Sequence, residues 1–416
     1  MFDRKYYRAL GLEDVYQRVL HGERLSEEQG DLLFACPDIL AVGALAHHAR
    51  KRLHGRKTYY VRNRHINYSN ICVNHCRFCA FRRDAGEKGA FTLGQEDILE
   101  RIQDDQGHPF AEIHVVGGCH PDLALGWFEE LFRKIRKLRP EAIIKAFTVA
   151  EIAHFARQEG CDTAGILARL KEAGLAMLTG GGAEIFNPEL RERICPEKIS
   201  GREYLSIAGE AHARGIASNC SMLFGHIESH GDRVRHLCAL RGQQDKSGGF
   251  VCFIPLPFQP EHNELARKLS ARGRASARQT ARGLDNLRTI AVARLLLDNI
   301  PHIKAYWVML GVKCAQAALH FGADDLDGTI MEEHIGHMAG ADSAQAMTRR
   351  ELEEMIAGCG FTPVNRDALF TPLDPLLDPA PAPCRHSPIK ACETPTPAAS
   401  GVSPLSPARP GPGAGQ

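Results

Sequence analysis

The chain has 416 residues, 44% of them hydrophobic, enough for a large buried core. At roughly 150 residues per domain that allows two or three domains, or one long α/β barrel. A formal net charge of +1 provides no global field for nucleic acid or an anionic membrane surface, and no stretch reaches the roughly 18 uncharged apolar residues of a membrane helix. The charged start Met1-Phe2-Asp3-Arg4-Lys5 is not followed by the apolar run of a signal peptide, so a cytoplasmic protein without a nucleic-acid or membrane partner is expected.

Residues 1–57 read as a helical N-terminal extension. Leu20, Leu25, Leu32, Leu33, Ile39, Leu40 and Leu45 recur at helix-compatible spacings, interrupted by Gly22, Gly30 and Pro37. The basic run 50–57 reads as a charged helix end stopped at Gly55, since no aromatic residues interleave with the charges as a nucleic-acid patch would require. From there strands and helices alternate. Candidate strands lie at 59–66, 112–116, 143–147, 176–178, 217–223, 250–256, 304–309 and 317–321, with helical patterns such as 131–138, 166–173 and 284–297 between them. Alternation of this kind predicts an α/β fold with a parallel sheet, and seven or eight repeats over residues 58–370 suit a (βα)8 TIM-type barrel. A doubly wound open sheet is disfavoured, because no Gly-x-Gly-x-x-Gly follows the first strand. The Arg- and Ser-rich stretch 266–283 reads as an exposed loop. Residues 371–416, dominated by Pro, Ala, Ser and Gly, read as a disordered tail.

Fourteen cysteines are scattered through the chain, but three crowd together. Cys72, Cys76 and Cys79 form Cys-x3-Cys-x2-Cys directly after the first candidate strand, on the side where barrel loops build active sites. Three neighbouring thiolates suit an iron–sulfur cluster. In a four-iron cubane they leave one iron open, which an amino acid's amine and carboxylate could chelate. Zinc is the alternative, but a structural zinc site wants four ligands and usually two separated pairs, and no second Cys-x2-Cys exists here. An electron carrier would usually have a fourth cysteine as well. Phe78 and Phe81 can pack and also exclude water from such a centre.

Cys-x3-Cys-x-aromatic-Cys after a first strand resembles the signature of the radical S-adenosylmethionine (SAM) superfamily. Within it, the segments Arg64-His65-Ile66-Asn67, His114-Val115-Val116-Gly117-Gly118, Lys145-Ala146-Phe147-Thr148, Gly180-Gly181-Gly182-Ala183-Glu184 and His302-Ile303-Lys304-Ala305-Tyr306-Trp307 are similar to the aminofutalosine synthase family of the futalosine route to menaquinone. The cyclase family of that route and the deazaflavin-forming synthases share the cysteine and glycine segments. The resemblance implies a [4Fe–4S] cluster on Cys72, Cys76 and Cys79 with SAM at the open iron. It also implies a one-electron reductant such as flavodoxin or ferredoxin. The implied reaction transfers the 5′-deoxyadenosyl group to 3-[(1-carboxyvinyl)oxy]benzoate with loss of bicarbonate. A dehypoxanthine futalosine cyclase is the rival enzyme, and a non-catalytic iron–sulfur or zinc protein the rival of another class.

The residues and the resemblance together suggest further cofactor-binding positions. Gly117 and Gly118 read as a tight turn, which in the superfamily lets backbone approach the methionine amine, although Cys119 and His120 stand where an acid is usual. Glu184, beyond the three glycines, is the candidate for the ribose hydroxyls, with Glu151 and Glu228 as weaker candidates. The implied acceptor carries two carboxylates, so Arg62, His65, His120, Lys145, His226, Arg294 and Lys304 are candidate anchors, Arg294 on a helical stretch that could face solvent.

Overall fold

The computed structural model describes residues 2–103, 110–271 and 282–373. Four helices, Arg4–Ala9, Glu13–His21, Glu27–Ala35 and Ile39–His54, precede the first strand. Their ends follow from local chemistry. Ser26 and Gln29 form a capping box, Asp38 accepts from the backbone N–H groups of Leu40 and Ala41, and Gly55 ends the fourth helix at φ 59°.

The core is a sheet of seven parallel strands in sequence order: β2 (Asn63–Ile66), β3 (Glu112–Val115), β4 (Ile143–Ala146), β5 (Leu175–Leu178), β6 (Ala217–Phe224), β7 (Phe250–Pro257) and β8 (His302–Ile303). Helices such as Leu125–Leu138 and His230–Ser247 connect consecutive strands, which is what a parallel sheet requires. β1 (Lys57–Val61) pairs in parallel with β9 (Asp325–Gly328) and β10 (Thr362–Arg366) in a second, three-stranded sheet. β9 and the residues just after it also bridge the edges of the large sheet. Lys304 and Asp325 form a parallel bridge on one side, and the His65 N–H donates to the Ile330 carbonyl at 2.9 Å on the other. The expected α/β barrel architecture is therefore present, with the C-terminal ends of the strands facing one cavity.

Five expectations need correction. The stretch 59–66 is two strands, split at Arg62, because β1 and β2 belong to different sheets. The apolar run 304–309 was expected as a strand, but β8 ends at Ile303 and Trp307–Leu310 is helical. Four apolar residues carry no decisive period, and here the buried Trp307 indole N–H donates to the Gly328 carbonyl at 3.0 Å. The stretch 317–321 is the end of helix Val312–Ala318 and a 3-10 turn, Leu319–Phe321. The proposed loop 266–283 begins inside helix Glu264–Ala271 and ends inside helix Arg282–Leu296, while 272–281 lies outside the described residues. Of the proposed tail 371–416, Pro372 still bridges to Arg366 and the Leu373 N–H donates to Asn365 at 2.9 Å; 374–416 lies outside the described residues.

Candidate functional site

The three motif cysteines lie on the loop that follows β2, and neighbouring loops pin it. The Cys72 N–H donates to the Arg83 carbonyl (3.3 Å), Val73 N–H to the Cys119 carbonyl (3.0 Å) and Arg77 N–H to the Ile194 carbonyl (2.8 Å). Asn70 braces the far side: its side chain donates to Gly89 and accepts from the Phe91 N–H, both at 2.9 Å. Cys72, Cys76, Cys79, Phe78, Gly117, Gly118 and Glu184, singled out from the sequence, all line one cavity of about 300 Å³, the lower end of the range for small-molecule sites.

Gly117 and Gly118 are glycines because the cysteine loop rests on them. A Cβ at Gly118 would stand 2.2 Å from the Ile71 carbonyl oxygen and 2.9 Å from the Cys72 Cβ; one at Gly117 would stand 2.8 Å from the Ser69 carbonyl oxygen. Their close approach in the structure is thus to the loop that carries the cysteines. Glu184 is buried and pairs with Lys198, Nζ to Oε1 2.5 Å. Lys198 escaped sequence analysis because nothing local marks it, yet its ammonium lies 5.5 Å from the Phe78 ring centroid. Burial works against its charge, but Cys76, Glu184 and Cys195 outweigh burial and hold its pKa well above that of an ordinary lysine.

The thiols differ in electrostatics. The Cys119 side chain, and the backbone N–H groups of Asn74 and Cys119, bring the Cys72 thiol down to about 6 against the effect of burial. Burial pushes Cys76 well up and Cys79 up. Two groups of His, Cys, Asp or Glu among the described residues have three donor atoms all within 4.8 Å, His54–His302–Asp324 and His65–Glu112–His114, and neither includes a motif cysteine. The motif thiols are therefore spread more widely than one tetrahedral ion requires, and they suit a larger centre.

The weaker candidates divide. Glu151 lines the cavity and also caps a helix: it accepts from Tyr68 (2.8 Å), from the Gly117 N–H (3.3 Å) and from the Thr148 N–H (2.6 Å), and burial raises it to about 7. Glu228 lies away from the cavity, locked to Arg233 at 2.7 Å. Of the basic candidates, His65 lines the cavity and the others do not. Lys145 pairs with Glu112 (2.5 Å), Lys304 with Asp327 (2.9 Å) and Arg294 with Asp324 (2.5 Å). Arg294 is fully buried rather than solvent-facing, because its helix packs that face against Asp324 and the Gly322 carbonyl. His120 is held by Thr92 (3.1 Å) and the Asp122 N–H (3.0 Å). The cavity also takes in Arg82, His114, Asp327, Tyr306 and Glu333, whose roles depend on contacts between distant segments.

Residues 66–239 match the radical SAM superfamily, and residues 247–376 match the CofH/MqnC C-terminal region. The chain is 42% identical to the aminodeoxyfutalosine synthase of Thermus thermophilus over 86% of its own length and 94% of that protein. It is 40% identical to the aminodeoxyfutalosine synthase of Streptomyces coelicolor over 89% and 96%. The chain belongs to the radical SAM superfamily. Membership carries a [4Fe–4S] cluster and SAM with it, which the cysteine loop fits and which displaces the zinc reading, and the synthase relatives make it a group-transferring radical SAM enzyme. Another such enzyme, the 5-amino-6-(D-ribitylamino)uracil–L-tyrosine 4-hydroxyphenyl transferase of Methanopyrus kandleri, is 38% identical over 85% of this chain and 93% of its own. The radical SAM fold is shared with solved structures. Methylornithine synthase superposes with a TM-score of 0.67 at 17% identity, covering 83% of this chain and 96% of that one. The FeFe-hydrogenase maturase HydG from Carboxydothermus hydrogenoformans gives 0.67 at 18%, covering 88% and 82%. No helix among the described residues is long and apolar enough to cross a membrane.

Proposed function

We propose that this chain is an aminodeoxyfutalosine synthase. It would join SAM, 3-[(1-carboxyvinyl)oxy]benzoate and water into aminodeoxyfutalosine, methionine and bicarbonate, a step of the futalosine route to menaquinone. The observation that carries this reading is the 42% identity that extends over 94% of a synthase of that name.

Cys72, Cys76 and Cys79 would hold the cluster at the mouth of the cavity, leaving one iron for SAM. When reduced by one electron, from a flavodoxin or ferredoxin, the cluster and SAM supply the 5′-deoxyadenosyl group in radical form. The protein's own residues bind, orient and exclude water. Phe78 and Phe81 shield the loop. In this reading the Gly117 and Gly118 backbone would meet the methionine end, and Glu184 would accept from the ribose hydroxyls. Lys198 holds Glu184 in place and adds positive charge beside Cys76.

Anaerobic reconstitution and turnover with both acceptor sets tests the reading. Mass analysis should find an adenosine-containing adduct from 3-[(1-carboxyvinyl)oxy]benzoate and no coupling of tyrosine to 5-amino-6-(D-ribitylamino)uracil. Methionine released without a nucleoside adduct, or coupling of tyrosine instead, overturns it.

A further inference from the structure

Four acids, Glu151, Glu184, Asp327 and Glu333, and as many basic residues line the cavity. Among the described residues that line it, four are basic: Arg82, Lys198, His65 and His114. Arg82 donates toward the Cys72 carbonyl (3.4 Å) and Lys198 lies beside Cys76, so both belong to the cysteine end. His65 and His114 lie within β2 and β3 themselves, on the floor, their rings stacked with centroids 4.3 Å apart.

That pair is incompletely satisfied. His114 Nδ1 is buried without a hydrogen-bond partner, 3.6 Å from Glu112 Oε1. Glu112 is fully buried. Its Oε1 accepts from Lys145 (2.5 Å) and from Asn63 (3.3 Å), while Oε2 has no hydrogen-bond partner. Buried orphans of this kind are costly unless something completes them. A metal ion is a poor candidate, because the Lys145 ammonium already occupies the cation position beside Glu112.

The acceptor assigned above is a dianion. Its vinyl carbon must face the nucleoside, and so the cysteine end, and the carboxyl on that vinyl group goes with it. The carboxylate on the aromatic ring then points away, toward the floor, where a bare carboxylate would be poorly solvated. We propose that the stacked His65–His114 pair receives this aromatic carboxylate and takes up one proton from solvent as it binds; the proposal rests on the acceptor assignment. The groups facing the two rings are Glu112 on β3, Lys145 on β4 and Asp327 on β9. Burial first, then the rings' mutual repulsion at His65 and Lys145 at His114, keep both neutral on their own. An incoming carboxylate adds the negative charge that reverses this balance, and Glu112 is placed to share the new proton on His114.

Calorimetric titration of the cluster-loaded protein with 3-[(1-carboxyvinyl)oxy]benzoate, at pH 7.5 in buffers of different ionisation heat, tests it. Uptake of about one proton per acceptor bound is expected. The corresponding benzamide, which keeps the vinyl carboxylate, should bind without uptake and roughly tenfold or more weaker. That comparison needs no variant. His114→Gln should weaken the benzoate by a similar factor and leave the benzamide unchanged. Benzoate binding with no uptake, or equal affinity for both ligands, overturns the proposal while leaving the acceptor assignment standing. No benzoate binding at all overturns both.

Discussion

Two clusters of nearly the same composition lie in the barrel, one beside the cavity and one away from it, and they behave differently. Away from the cavity, Asp324 accepts from His302 Nδ1 (2.6 Å), Arg294 (2.5 Å) and the Ile303 N–H (2.8 Å), while His54 Nε2 meets the Pro301 carbonyl at 2.8 Å. Beside the cavity, His65, Glu112 and His114 leave a carboxylate oxygen and a ring nitrogen without hydrogen-bond partners. Residue type alone does not separate them. Saturation does: a cluster with no buried polar atom left unpartnered supports the fold, and one left open beside a cavity is ready for a ligand.

The largest expected effect lies at the cavity. Cys76→Ala should remove cluster iron and sulfide and reduce SAM cleavage to background, while the circular dichroism of the chain stays native. Retained cleavage would refute the ligand assignment. Next is Arg294→Met at the saturated cluster. It strands the Asp324 carboxylate in the core, and breaking such a buried pair costs about 3–5 kcal/mol. Urea unfolding should show that loss, whereas SAM cleavage per folded molecule should not change. A fall in specific activity without a fall in stability would erase the contrast between the two clusters.

Gly118→Ala should be intermediate. Its Cβ would stand 2.2 Å from the Ile71 carbonyl, so the backbone carrying Cys72 must shift. An overpacked contact of this sort costs about 1–3 kcal/mol, and we expect it to appear as lower iron content per chain more than as a lower melting temperature. Unchanged iron would mean that the loop does not depend on the glycine.

The cysteine motif was legible because its three thiols lie within eight residues, and β3, β4 and β7 because their apolar runs with Ile or Val stand between helical patterns. β9 was not legible. Asp325-Leu326-Asp327-Gly328 looks like a turn, and its acids are tolerable in a buried strand only because Lys304 arrives from just after β8 and Arg366 from β10. Lys198 and His114 were missed as site residues for the same reason. Their meaning lies in partners contributed by other segments, Glu184 and Glu112, and no local period or motif encodes such a pairing.

The smallest effect at neutral pH, and the most specific for the saturated cluster, belongs to His54. Burial, then Arg294 and His302, bring its ring down to about 4 although Asp324 opposes them. The unfolded chain gains a proton near the ordinary value of about 6.5 and the folded one does not until about 4. Stability should therefore be unaffected at pH 7.5 and fall as pH drops through that window, by about 2 kcal/mol at pH 5 for this one group. His54→Gln keeps a donor for the Pro301 carbonyl and removes the titration, so between pH 7.5 and 5 the parent's urea midpoint should fall relative to the variant's. If the parent's midpoint falls no faster than the variant's, His54 is charged in the folded protein and the saturated cluster is an ion pair, not a neutral hydrogen-bonded one.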